Sequence, residues 1–235
     1  GATSTLVLSV TPTAAGAWSF TVSATNTDAD ENPYNWSVSA TAAAAPPAGI
    51  LVAEPFAYAA GSLAAINGGT GWTSAWDAGA NSVTAPGLTT SGLTVSGNRL
   101  DVTTASFRNL PSTLGDGTWW VSFLAQSTTP GSQWGGLSFF NGATTEQLFI
   151  GQRYGASVWG MESGGPGVNT STDTGNVSLI VVRLVLRSGA DDATIWVDPA
   201  LGATPSDASG SAFAAFGELS PDRIRLSSGK TLRVD

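Results

Sequence analysis

The sequence predicts an all-β chain built around a two-sheet antiparallel jelly-roll sandwich. Three observations lead there. Short runs rich in Val, Ile, Thr, Phe and Trp recur along the chain, with apolar and polar residues alternating as in half-buried strands. Between the runs lie turn-forming segments fed by 29 glycines and many Ser, Thr and Asn residues. No ten-residue stretch carries a convincing helical period, the nearest being 207–216.

The first strands read at 5–10, 17–25 and 34–41. In the second, Trp18, Phe20 and Val22 alternate with Ser19, Thr21 and Ser23, and Trp36 and Val38 repeat the pattern in the third. Three strands fall short of the roughly seven of an independent sandwich, so 1–45 reads as a partial immunoglobulin-like domain, its last strands only. Phe20, Asn26, Asp28, Asp30, Glu31, Asn32, Pro33 and Tyr34, followed by Trp36, resemble the last hairpin of bacterial "choice-of-anchor" immunoglobulin-like repeats. That resemblance implies a place in a long secreted or surface protein. An Ala/Pro linker at 46–50 ends the segment, because paired prolines continue neither helix nor sheet.

From 51 to 235 strands are predicted at 50–53, 92–102, 118–126, 134–141, 146–152, 156–162, 177–187, 192–198 and 222–227, with a last one opening at Thr231. Long antiparallel strands in a segment of this size suggest a jelly roll. Three stretches carry a second resemblance. They are Glu54, Pro55, Phe56 and Tyr58 with Asn67 to Trp72 and Trp76; Trp119 to Leu124; and Trp196 to Pro199. Together they resemble bacterial concanavalin A-like (laminin-G-like) lectin/glucanase domains. The resemblance implies the two-sheet fold over 51–235, with the C-terminal strand truncated, and raises the expectation of a structural calcium ion.

Composition excludes several functions. Charged residues are only 11% of the chain and the formal net charge is −8, with Lys230 the single lysine. Scattered arginines do not make the clustered basic surface that nucleic acid or an anionic membrane needs, so neither is an expected partner. No apolar run approaches a membrane span. The chain has neither Cys nor His. Disulfides, thiolate metal sites and imidazole-dependent nucleophilic catalysis are therefore impossible within it. A surface of Ser, Thr, Asn, Gln and Gly suits neutral, hydroxyl-rich ligands.

Candidate chemistry follows from what remains. A glycosidase needs two carboxylates about 5 or about 6.5–9.5 Å apart across a cleft. No Glu-x-Asp-x-Glu strand is present, and only Glu146 and Glu162, on successive predicted strands, could converge. Any metal must be held by oxygen; Asp191 with Asp192, or Asp77 with Asn81, are the candidate Ca²⁺ ligands. Nine tryptophans are the most suggestive feature, since aromatic faces stack on the C–H faces of sugars. Trp18, Trp36, Trp119 and Trp196 read as core, and Trp72 and Trp76 as pins for their loop. Trp134 and Trp159 stand beside glycines. With Arg153, Tyr154 and Glu162 they form the candidate ligand-binding set.

The leading functional expectation is a non-catalytic carbohydrate-binding or adhesion module of a secreted or cell-surface bacterial protein, with a polysaccharide or glycan as partner. A structural or self-assembling surface domain comes second. In that reading another chain completes the incomplete immunoglobulin-like strands. A polysaccharide hydrolase or lyase comes third.

Overall fold

The computed structural model describes residues 16–235 except 26, 28, 29, 31, 43–48, 78, 166, 230 and 231. The strand expected at 5–10 and most of the Ala/Pro linker lie outside the described residues. The chain divides into two compact units, Gly1–Ile50 and Leu51–Asp235.

In the first unit β1 (Gly16–Ala24) and β2 (Tyr34–Ala42) form an antiparallel hairpin. The period of two sets its faces: Phe20 pairs with Val38 and Val22 with Trp36, all half-buried. The Tyr34 and Trp36 rings lie 5.7 Å apart. Ser19, Thr21, Ser23, Ser37 and Ser39 are exposed.

In the second unit the strands run β3 (Gly61–Ser62), β4 (Ser82–Thr84), β5 (Thr89–Thr90), β6 (Leu93–Thr94), β7 (Arg99–Val102), β8 (Ser106–Asn109), β9 (Gly117–Ser127) and β10 (Gly135–Asn141). There follow β11 (Thr145–Gln152), β12 (Val158–Glu162), β13 (Gly167–Asp173), β14 (Ser178–Leu186), β15 (Asp192–Val197), β16 (Ala212–Ala215), β17 (Arg223–Ser228) and β18 (Leu232–Val234). Two large sheets result. One has six strands in the order β13-β12-β11-β10-β17-β8. The other has eight, in the order β16-β15-β14-β9-β18-β7-β4-β3. Every pairing in them is antiparallel. This is the two-sheet sandwich the sequence predicts.

Alternation fills the space between the sheets. In β14, Ile180, Val182, Leu184 and Leu186 are buried while Val181, Arg183 and Val185 face outward. Leu137 and Phe139 of β10, Leu148 and Ile150 of β11, and Trp159 and Met161 of β12 meet them in the core.

Several expectations are corrected. The stretch 50–53 is not a strand; it contributes one bridge, Ala53 to Thr70. The expected strand 92–102 is broken into β6 and β7. Strands β3, β4, β5, β8, β13 and β16 were not predicted; all but β13 are four residues or shorter, too brief to display a period. The weak helical signal at 207–216 resolves into one 3₁₀ turn, Asp207–Ser209, followed by β16.

The segment 51–76 has almost no ladder of its own, and side chains hold it. Arg108 of β8 is fully buried and donates from Nε to the Ser74 carbonyl and from Nη2 to the Gly68 carbonyl and Asn67 Oδ1. Its Nη1 donates to Glu54. Glu54 also accepts from the Phe56 amide, the Tyr58 hydroxyl and Trp76 Nε1. The guanidinium lies 4.9 Å from the Trp72 ring centroid and 5.5 Å from that of Trp76. Both charges are thus solvated by protein instead of water, the condition under which a buried pair is tolerable. Phe56, held at φ 45, is a bulky residue in the left-handed region, and its amide is anchored by Glu54. Trp72 and Trp76 do pin this loop, as expected.

Removing one partner leaves the other charge buried. Arg108→Met is expected to cost about 3–5 kcal/mol in chemical denaturation, and Glu54→Met with Arg108→Met to recover a large part of it. Equal losses in single and double variants would contradict this account.

Burial, with the hydrogen bond to Glu54 and its charge, pushes the Tyr58 hydroxyl from 10.0 up to about 12. Folding therefore favours the protonated phenol. That stabilisation is complete below pH 10 and is lost as pH rises toward 12. Unfolding followed across this window is expected to steepen with pH in the parent and to flatten in Tyr58→Phe; identical slopes would exclude Tyr58 as the responsible group.

Candidate functional site

The outward face of the six-stranded sheet is built by the residues that alternate with the core. Register places Ser227, Gly136, Gly151, Gly160 and Asn169 in one row across five strands. The next row is Arg225, Ser138, Phe149, Glu162 and Gly167, and Arg223 and Phe140 pair in the row beyond. The glycine row is obligatory. A Cβ at Gly151 would strike the Gly135 carbonyl and lie 2.6 Å from the Gly136 Cα; one at Gly160 would strike the Val168 carbonyl.

Three adjacent glycines in that row let long neighbours lie across the sheet. Trp134, at the start of β10, is half-buried. Its ring packs edge-on to Phe149 at 6.3 Å, and the Arg225 guanidinium sits 5.7 Å from its centroid. Arg225 is 4.7 Å from the Phe140 ring as well, and it donates to Ser138 Oγ and, at 2.8 Å, to Glu146. Arg153, from the far end of β11, donates to Glu162 at 2.8 Å and to Asn169 at 3.1 Å. Arg223 stacks 4.2 Å over Phe107 and lies 3.8 Å from Asp77. The floor of the face is thus aromatic and its upper layer is ion-paired. At the β8–β17 end a depression of about 380 Å³ is lined by Asn109, Gly142, Asp222 and Arg223, among others.

Desolvation lowers the Arg225 pKa from its ordinary value, while the Glu146 charge and hydrogen bond act in the opposite direction. The Arg223 and Arg225 Nε atoms are buried and have no hydrogen-bond partner. Paired carboxylates for glycoside cleavage must face one gap. Here Glu146 and Glu162 each face a separate arginine.

The structure brings together Trp134, Arg153 and Glu162 of the predicted set on this face, with Tyr154 highly exposed in the turn after β11. It removes Trp159. That side chain is fully buried, because its position in β12 has the parity of Met161 and points into the core. A residue without exposure cannot stack on a ligand. Among the core predictions, Trp196 is buried, Trp119 and Trp36 are partly buried, and the side chain of Trp18 lies outside those described.

The candidate calcium ligands are otherwise engaged. Asp191 is fully buried, and its two oxygens accept from the Arg187 and Leu219 amides, which fastens the β14–β15 turn to the segment before β17. Asp192 is paired with Arg187. Asp77 accepts from the Phe107 amide, and the side-chain Oδ1 of Asn81 accepts from the Thr103 and Thr104 amides. Ca²⁺ takes six or more oxygens converging on one point. Among the described residues no group of three or more acids could hold a metal.

Arg225, Arg223, Phe140 and Phe149 were not recognised from sequence. The Arg-Ile-Arg-Leu-Ser alternation at 223–227 contained the signal, since it puts both arginines on the face opposite Ile224 and Leu226.

The fold and site define an all-β sandwich with an aromatic, charge-compensated outer face. No protein-family model matches the chain, and no curated protein matches it. Among solved structures the chain is similar to a bifunctional GH43-CE protein of Bacteroides eggerthii, at 13% identity and a TM-score of 0.31. The match covers 66% of this chain and 21% of that one, so the chain spans about a fifth of that protein. No helix among the described residues is long and apolar enough to cross a membrane.

The glycine row yields a direct test. Gly151→Ala is expected to destabilise the six-stranded sheet by about 1–3 kcal/mol, measured by urea unfolding, since the backbone of β10 must move. Gly142→Ala, where nothing lies within 4 Å, is the comparison for a glycine of positive φ without a steric neighbour. A loss at Gly151 no larger than at Gly142 would contradict the close approach.

Proposed function

We propose that this chain is a non-catalytic carbohydrate-binding or adhesion module of a secreted or surface-exposed protein, with a concanavalin A-like sandwich as its binding domain. A neutral glycan would lie along the outer face of the six-stranded sheet. The observation that carries the reading is Trp134. It is a half-buried indole braced by Phe149 and Arg225; Arg225 also donates to Ser138 and Glu146, and the Arg153–Glu162 pair lies on the same sheet face. A braced ring loses little motion when a sugar stacks on it, and fixed polar groups around it give the ligand its orientation.

Charge compensation supports a neutral ligand. Every arginine of the chain lies within 4.0 Å of a carboxylate, so none is free to recruit an anionic polymer. The separate pairing of Glu146 and Glu162 supports binding over hydrolysis.

The test is retention on immobilised neutral polysaccharides. The parent is expected to be retained on at least one of them, and Trp134→Ala to weaken retention about tenfold, a loss on the order of 1.4 kcal/mol. Retention insensitive to Trp134 and Arg153 would remove this face, and release of reducing ends would replace the binding role with a hydrolytic one.

A further inference from the structure

A second aromatic surface lies on the other side of the sandwich. Among the described side chains Trp120 is the exposed tryptophan: it is 44% exposed in the middle of the long strand β9. The other described tryptophans are buried or half-buried. Its ring stacks on Trp196 at 5.7 Å with an interplanar angle of 24°. Trp196 is buried and donates from Nε1 to the Ser206 carbonyl. The Arg183 guanidinium, next to Trp120 in register, lies 6.0 Å from its centroid and 5.7 Å from that of Trp196. Arg183 is held in turn by Asp207 at 2.7 Å. The exposed indole is therefore immobilised by a buried ring, a guanidinium and an ion pair.

Opposite the ring stand Gly202, Ala203, Thr204 and Pro205, leaving an open cleft of about 420 Å³. The wall is small and uncharged. Arg183, beside the ring, is paired with Asp207. Apolar ring, small hydroxyl-bearing wall and local neutrality together fit a ligand that is flat, apolar on its faces and hydroxylated at its edges.

We propose that the cleft between Trp120 and residues 202–205 is a second sugar-binding site, which takes one pyranose ring of a neutral polysaccharide, stacked on Trp120. The proposal rests on the glycan-binding reading of the chain but on a different face and different residues. With sites on both outer faces of the sandwich, one module bridges two polysaccharide strands. Avidity on an insoluble, many-stranded matrix then exceeds affinity for a single soluble chain.

The test is affinity electrophoresis of the whole chain in gels containing arabinoxylan, galactomannan or mixed-linkage β-glucan. Trp120→Ala is expected to weaken retardation about fivefold on a polysaccharide that retards the parent. Ala203→Arg, an exposed loop change that fills the cleft without touching the sheet, is expected to do the same. Combining Trp120→Ala with Trp134→Ala is expected to abolish retardation. Loss in Trp134→Ala alone, with parental retardation in both cleft variants, would overturn the second site and leave the first intact. Parental retardation in Trp134→Ala, with loss in both cleft variants, would support the cleft and remove the other face. No retardation of the parent would overturn both. Sedimentation separates the remaining possibility: self-association abolished by Trp120→Ala would show that the surface serves a second copy of the chain, and would overturn the sugar assignment.

Discussion

The buried Glu54–Arg108 pair organises the part of the domain that strands do not. Between residues 51 and 76 the backbone has one bridge and the two-residue strand β3, so most of its carbonyls need donors from elsewhere. Arg108 supplies two such bonds, to the Gly68 and Ser74 carbonyls, a third to the Asn67 side chain, and pairs with Glu54. Glu54 in turn fixes Phe56, Tyr58 and Trp76. Phe56 and Trp76, stacked at 6.3 Å, join the same core as Leu63 and Leu100. An apolar residue at either position could fill volume but could not satisfy those backbone groups, which is why a costly ion pair is retained in a chain with so few charges.

The same economy runs through the rest of the molecule. Four of the eight arginines, Arg108, Arg183, Arg223 and Arg225, lie over rings and pair with carboxylates. Arg225 spans Trp134 and Phe140 and ends on Glu146, Arg183 spans Trp120 and Trp196 and ends on Asp207, and Arg223 covers Phe107. Each guanidinium shields an aromatic group from water while its own charge is balanced, because a weakly hydrated planar cation loses little by stacking. The outcome is two outward faces that are aromatic beneath, polar above and locally neutral.

Legibility differed by element for physical reasons. The long strands β9, β11, β14 and β15 were readable because alternation over several residues is unambiguous when one face is buried. The short strands β3, β4, β8 and β16 were not, since two to four residues carry no measurable period and their pairing is imposed by neighbours. Trp159 shows the same limit at one position. Its neighbour Gly160 suggested room for a ligand, yet that glycine belongs to the outward row and Trp159 to the inward one; only the register against β11 and β13 separates them. Asp191 looked like a turn acid free to bind a cation, whereas its oxygens hold amides 4 and 28 residues away.

The absence of Cys and His, the low charge, the glycine-rich turns and the strand periodicity were settled by composition and local order. They limit the chain to an all-β protein without thiol or imidazole chemistry. Such properties are local or additive, so they survive without knowledge of partners. Which tryptophans are walls and which are floors, which arginine meets which acid, and where glycines must clear the backbone all depend on pairs distant in sequence. Trp120 and Trp196, or Arg108 and Glu54, become neighbours only when two sheets close on a common core, and the apolar burial that closes them is indifferent to the identities of the polar groups it brings together.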